Sequence, residues 1–208
     1  MRVVLLAPYA PGVRVEEQGL SRDALERALL DSAVRRHEVK VIWARCEFEH
    51  SYWMWMRAAW LDAARAGARL VVVEHDIQIR PLALRSIISC RESRCAYAYW
   101  LHRGMDEPVL AHRVKVPGQT YVPGLSLGGV TIMTMPGEPG PVGPRWLKPG
   151  EREADYAGMG FSAFTPVGDW PLGDQPCSWR HLDTVLSERL GRDGSRWHIH
   201  WGAVKHGA

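Results

Sequence analysis

An α/β fold with a mostly parallel central sheet is what this chain of 208 residues predicts. Three observations lead there. Short apolar, β-branched runs alternate with amphipathic stretches through the first hundred residues, the order that builds parallel strands joined by crossover helices. Prolines, glycines and capping residues punctuate the segment ends. The composition, 46% hydrophobic and 24% charged, is that of an ordinary globular chain, long enough to bury a core in one domain.

"RVVLLAP", Arg2 to Pro8, reads as a first buried strand closed by proline. Ser21 offers an N-cap for the helix "RDALERALLDSAVRR", in which Leu25, Ala28, Leu29 and Ser32 share one face. "EVKVIWA", Glu38 to Ala44, is a second strand. "SYWMWMRAAWLDAARAG" is a helix with Ser51 as cap, Gly67 as stop and an inward stripe of Trp53, Met56, Trp60 and Ala64. "ARLVVVEHDIQIRP", Ala68 to Pro81, is the third strand, and Pro81 opens the helix "PLALRSIISCRES".

The second half is less regular. "CAYAYWL", "SLGGVTIMTMP" and "GMGFSAFTP" read as strands, the last entered through glycines. Residues 136–150, "PGEPGPVGPRWLKPG", are dense in proline and glycine and read as a loop. "CSWRHLDTVLSERLGRDG" is a helix with Ser178 as cap, Leu182, Val185, Leu186 and Leu190 inward, and Gly191 or Gly194 as stop. The tail "RWHIHWGAVKH" alternates like a strand. No repeat or break divides the chain, so residues 1–208 are expected to form a single domain.

A net charge of +3 permits an acidic ligand but forms no clustered basic stripe. Cys46, Cys90, Cys95 and Cys177 contain no CxxC pair, which disfavours a zinc ribbon and points to free thiols in a reducing, cytoplasmic setting. No segment approaches the roughly 18–20 apolar residues of a membrane span. "APYAPG" after the first strand lacks the GxG turn of a dinucleotide-binding fold, which disfavours a dehydrogenase or a methyltransferase.

Glu74-His75-Asp76 is the first candidate site. Two carboxylates closing an apolar strand are costly unless something sits against them, and the carboxyl ends of such strands are where ligands bind. On an extended segment residues 74 and 76 point the same way, so both acids converge on one hard cation. The simpler alternative is a solvated strand end, or a pairing with Arg80. His198-x-His200 is the second candidate. Two imidazoles on one strand face are a known metal pair, yet His37, His50 and His102 supply no further ligand at a hydrolase's spacing.

The order of motifs carries more than any one of them. An acid-x-Asp strand end is followed by Asp183-x-x-Leu186-x-x-Arg189-Leu190 with Gly194, then by Val204-x-His206. This order resembles the inverting GT-A glycosyltransferases, across most of the chain though through short motifs. Two departures stand out: Glu74 replaces the first Asp of the usual motif, and Leu182 stands where many members carry a Glu.

The resemblance implies a compact GT-A-like catalytic domain of bacterial or phage type, with a nucleotide-binding half (1–100) and an acceptor-side half (101–208). It implies Mn²⁺ or Mg²⁺ held by Asp76, His206 and Glu74, neutralising charge on the departing diphosphate. Pro8, Tyr9, Glu74 and His75 would bind a UDP- or GDP-sugar donor. Asp183 would be the general base on an acceptor hydroxyl, giving inversion. His198, His200 and Trp179 would contact acceptor or phosphate. Trp170 and Trp201 also lie near the expected site, with sugar or base stacking as one role and packing as the other. The loop 136–150 would close over the substrates. The acceptor is left open among glycan, protein and hydroxylated DNA base. Two alternatives are a metal-dependent hydrolase using the HxH pair, and a non-catalytic α/β module binding nucleotide or nucleic acid.

Overall fold

Seven strands with helices packed on both faces organise the computed structural model, which describes residues 1–11, 15–98, 110–112, 123–126, 129–132, 145–146, 150–154, 156–178, 182–202 and 204–206. In chain order the elements are β1 (Arg2–Tyr9), α1 (Val15–Leu29), β2 (Glu38–Arg45), α2 (Ser51–Ala66), β3 (Arg69–Val73), β4 (Ile77–Gln78), α3 (Pro81–Ser89), β5 (Arg94–Tyr97) and β6 (Leu110–His112). They continue with β7 (Pro123–Ser126), β8 (Gly129–Ile132), β9 (Arg145–Trp146), β10 (Glu153–Ala154), β11 (Tyr156–Ala157), β12 (Phe161–Phe164), α4 (Leu182–Leu190), β13 (Trp197–His200) and β14 (Lys205–His206).

The large sheet has the order β10-β13-β5-β12-β3-β1-β2. Three neighbour pairs are parallel, β1–β2, β1–β3 and β5–β13. Three are antiparallel, β3–β12, β12–β5 and β13–β10. The fold is therefore a mixed α/β sheet, which corrects the mostly parallel expectation. The cause is β12, an all-buried strand inserted between β3 and β5 in the opposite sense. A continuous apolar run marks a buried strand but carries no direction.

Each face of the sheet has its own core. On the α2 and α4 face, Trp53, Met56, Trp60, Phe164, Trp170, Leu182, Leu186 and Trp197 are buried together. Trp170 packs edge-on against Trp53 and Trp60 at centroid separations of 6.2 and 5.6 Å. It is core, not the sugar-stacking ring that its position in the sequence allowed. On the α1 and α3 face the core is mostly aliphatic: Leu25, Ala28, Leu84, Ile87 and Ile88 cover Val3, Leu5, Val71 and Val73. Each fully buried Val, Leu or Ile among them contributes roughly 1.5–3 kcal/mol.

Arg69, buried at the start of β3, ties the second face together. Its guanidinium donates to the Ile87 and Glu92 carbonyls, to Thr165 Oγ1 and to Cys95 Sγ, each at 3.0 Å. Four acceptors discharge the donors of a cation that would otherwise be costly to bury.

Several local expectations hold. Gly67 ends α2 at φ 56°, in the left-handed region open to glycine, with its N–H on the Ala63 and Ala64 carbonyls. Pro81 opens α3. Other expectations are corrected. Ser21 lies inside α1, which starts at Val15, so it is no cap. That helix stops at Leu29, because the Asp31 carboxylate takes the Ala33 N–H at 2.9 Å and offers the backbone a turn instead. Ser51 begins α2 without capping it: its hydroxyl accepts the Phe48 N–H, behind the helix, and His50 is the cap residue. Val185 is 40% exposed, whereas Leu182 and Leu186 point inward. Arg145–Trp146, inside the expected loop 136–150, pairs with β6; residues 136–144 and 147–149 lie outside the described residues.

Candidate functional site

A cleft opens at the carboxyl ends of β1, β2 and β3, the edge where an α/β sheet offers backbone ends and side chains to a ligand. Pro8, Tyr9, Trp43, Glu74 and His75 line it, with Arg22 and Leu25 from α1. All four expected donor-binding residues thus share one cleft, and Trp43 joins them. Its space, about 160 Å³, is below the roughly 300 Å³ of a complete small-molecule site. Trp43 is 38% exposed, and the Arg22 guanidinium lies over its ring at 4.9 Å. Arg22 also pairs with Glu26 at 2.9 Å, which raises its pKa through the hydrogen bond and the carboxylate's charge.

The strand ends at Val73, and the acids do not continue it. Glu74 donates its N–H to the Gly160 carbonyl, and its own carbonyl accepts the Ile77 N–H at 3.1 Å, closing a turn over His75 and Asp76. The shared direction expected of residues 74 and 76 on an extended segment is therefore corrected to a tight turn. Tyr52, on α2, donates its hydroxyl to Glu74 Oε1 at 2.8 Å. That hydrogen bond is one contact of the Glu74 carboxylate, and Arg22 lines the same cleft. Arg80, the alternative partner, is exposed and makes no ion pair among the described residues. Cys46 borders this region, where burial, helped by the Glu74 charge, pushes its thiol up to about 11.

After the turn, β4 pairs antiparallel with β14, and His206 is the register partner of Ile77. The backbone of His206 thereby lies beside the residue that follows Asp76, although the two are far apart in the chain. Asp183 stands elsewhere. It is 6% exposed in the first turn of α4, on the helix whose Leu182 and Leu186 join the α2-side core, and it does not line the cleft. Its negative charge is one cause, after burial, of the raised Cys177 thiol. Trp179 lies outside the described residues. Trp201 is half-buried and donates its indole N–H to the Glu151 carbonyl at 2.6 Å.

His198 and His200 occupy a second location. On β13 they alternate with the buried Trp197 and Ile199, so both face the α3 side, where Cys90 follows the last turn of α3. One ligand atom from each of Cys90, His198 and His200 lies within 4.8 Å of the others. The two imidazoles meet edge-on at 4.9 Å, and His200 stacks on Tyr97 at 5.1 Å. Burial, first of all, pulls the His200 pKa below its ordinary value. The Cys90 thiol is pulled down to about 4, chiefly by a hydrogen bond from Cys95, while that bond and burial push Cys95 up. The register His200↔Tyr97 and the β12 pairings put His200 level with Val73, three strand steps away. At about 4.8 Å per step the separation is roughly 14 Å. The HxH spacing was the legible signal; its sulfur partner, more than a hundred residues upstream, was not.

No helix among the described residues is long and apolar enough to cross a membrane. No family model matches the chain, and no curated protein matches it. Among solved structures the chain is similar to the one described as "Crystal Structure of A197 from STIV", at 8% identity over 97% of this chain and 82% of that one, with a TM-score of 0.47. A likeness of that degree assigns neither family nor activity.

Proposed function

We propose that this protein is a metal-dependent glycosyltransferase that moves a sugar from a nucleotide-sugar to an acceptor hydroxyl. The observation that carries the reading is the β4–β14 register, which sets His206 opposite Ile77, next to the acid turn. The resemblance calls for Asp76 and His206 in one place; the backbone ladder supports that, while the lining of the cleft includes Glu74 and His75 and neither Asp76 nor His206.

The donor cleft supports it. Tyr9 and Trp43 offer aromatic faces to a nucleobase. Glu74, oriented by Tyr52, accepts a ribose hydroxyl. Carboxylates of Asp76 and Glu74 with the imidazole of His206 are oxygen-rich donors that fit Mn²⁺ or Mg²⁺. Bound there, the ion supplies Lewis-acid neutralisation of the leaving diphosphate. Asp183, buried in the first turn of α4, remains the candidate base and must come within about 2.6–3.2 Å of the acceptor hydroxyl.

A panel of UDP- and GDP-sugars tests this, read by released nucleoside diphosphate with and without Mn²⁺ or Mg²⁺. Release from one donor, dependent on the ion, is the expected result. Absence of release from every donor, together with no thermal stabilisation by UDP or GDP plus Mn²⁺, rejects the reading.

A further inference from the structure

We infer that Cys90, His198 and His200 form a zinc-binding site with an exchangeable fourth position, separate from the acid turn. One thiol and two imidazoles are a borderline-soft donor set, which suits Zn²⁺ and not the oxygen-seeking Mg²⁺ or Mn²⁺ of the cleft. At zinc–nitrogen and zinc–sulfur bond lengths, tetrahedral ligands sit roughly 3.3–3.6 Å apart. The three atoms already lie within 4.8 Å of one another, so side-chain rotations of about an ångström complete the geometry.

Two further observations single out this cluster. His200 Nε2 is buried and no hydrogen bond of normal geometry reaches it among the described residues. The other nitrogen, Nδ1, lies 3.5 Å from Ser86 Oγ, the kind of outer contact that fixes a ligating imidazole's orientation. The scaffold is also firm: β13 is hydrogen-bonded to both β5 and β10, and Tyr97 stacks on His200 from below.

The count of ligands defines what the site can do. Structural zinc takes four protein ligands, while reactive zinc keeps one position for water or substrate. No fourth His, Cys, Asp or Glu joins the group among the described residues. Cys95 is the nearest sulfur by sequence, but its Sγ is engaged by the buried Arg69. Three donors on a half-buried surface leave the last position to solvent or to a small anion.

The test uses the full chain loaded with Zn²⁺ or with Co²⁺ as its spectroscopic substitute. Expected are one equivalent of zinc retained through dialysis, and a cobalt form with visible d–d bands and a near-ultraviolet thiolate-to-metal band. That near-ultraviolet band vanishes in Cys90→Ser and persists in Cys95→Ser. His198→Gln weakens zinc binding by well over 100-fold, beyond the roughly 10–100-fold that loss of an outer contact costs. Azide shifts the visible bands if the fourth position exchanges; unmoved bands overturn that part. Should Cys90→Ser fail to fold, iodoacetamide labelling of the unaltered chain decides: zinc protects Cys90, as mapped by mass spectrometry, if it is a ligand. Absence of retained zinc, a thiolate band that survives Cys90→Ser, or labelling of Cys90 indifferent to zinc overturns the site. None of these outcomes depends on a sugar donor, so the glycosyltransferase reading stands or falls separately.

Discussion

The two faces of the sheet divide the labour. On the α2 and α4 side, four tryptophans and Phe164 pack into a sealed aromatic core. The indole N–H groups of Trp53, Trp60, Trp170 and Trp197 have no hydrogen-bond partner among the described residues. Their value is area and ring contact alone, bought with unmet polarity. The α1 and α3 side is built mostly from smaller aliphatic side chains, and at its margins lie the strand-end cleft and the Cys90–His198–His200 cluster. Large rings supply the stability on one face, which leaves the other free to hold polar groups that a tight core would exclude.

That division can be broken by experiment, beginning where the effect is largest. Trp197→Ala, at a site with no exposure, should cost about 3–5 kcal/mol, measured as a lower urea midpoint, and leave ligand affinities of the surviving folded protein unchanged. Asp76→Asn should reduce sugar transfer about 100-fold or more with an unchanged midpoint; a lowered midpoint with activity intact would make Asp76 a structural residue. Tyr9→Ala and Trp43→Ala should each weaken UDP or GDP binding by about 1–3 kcal/mol, followed by calorimetry, without altering zinc retention. Tyr52→Phe removes the hydrogen bond to Glu74 and should lose about 1 kcal/mol in the same titration.

How much of this was legible followed from what each signal depends on. Strands β1 to β3 and helices α2 and α3 were readable because their periodicity and their Pro81 and Gly67 punctuation are local. The direction of β12 was not, since "FSAF" looks the same traversed either way. Ser21 misled because a good capping residue is equally a tolerated interior one once tertiary contacts extend the helix. Pro8, Tyr9, Glu74 and His75 share one cleft, and their position at strand ends was the signal the sequence offered. Trp43, which joins them, gave no such signal: it is one of four exposed residues of the edge strand β2, whose alternation reads as ordinary packing. The cysteine in the second site escaped because spacing rules see only neighbours, and Cys90 meets His198 and His200 through the sheet.

Ile77 and His206 join through a ribbon only two residues wide. A contact between distant parts of a chain forms only after the entropy of closing the intervening loop is given up, so it follows the local ones. The β4–β14 clasp should therefore be among the last contacts made during refolding and among the first to open. In deuterated buffer the amides there should exchange well ahead of those of Val71 and Val72, making assembly of the acid turn's surroundings a late, reversible act performed on a finished sheet.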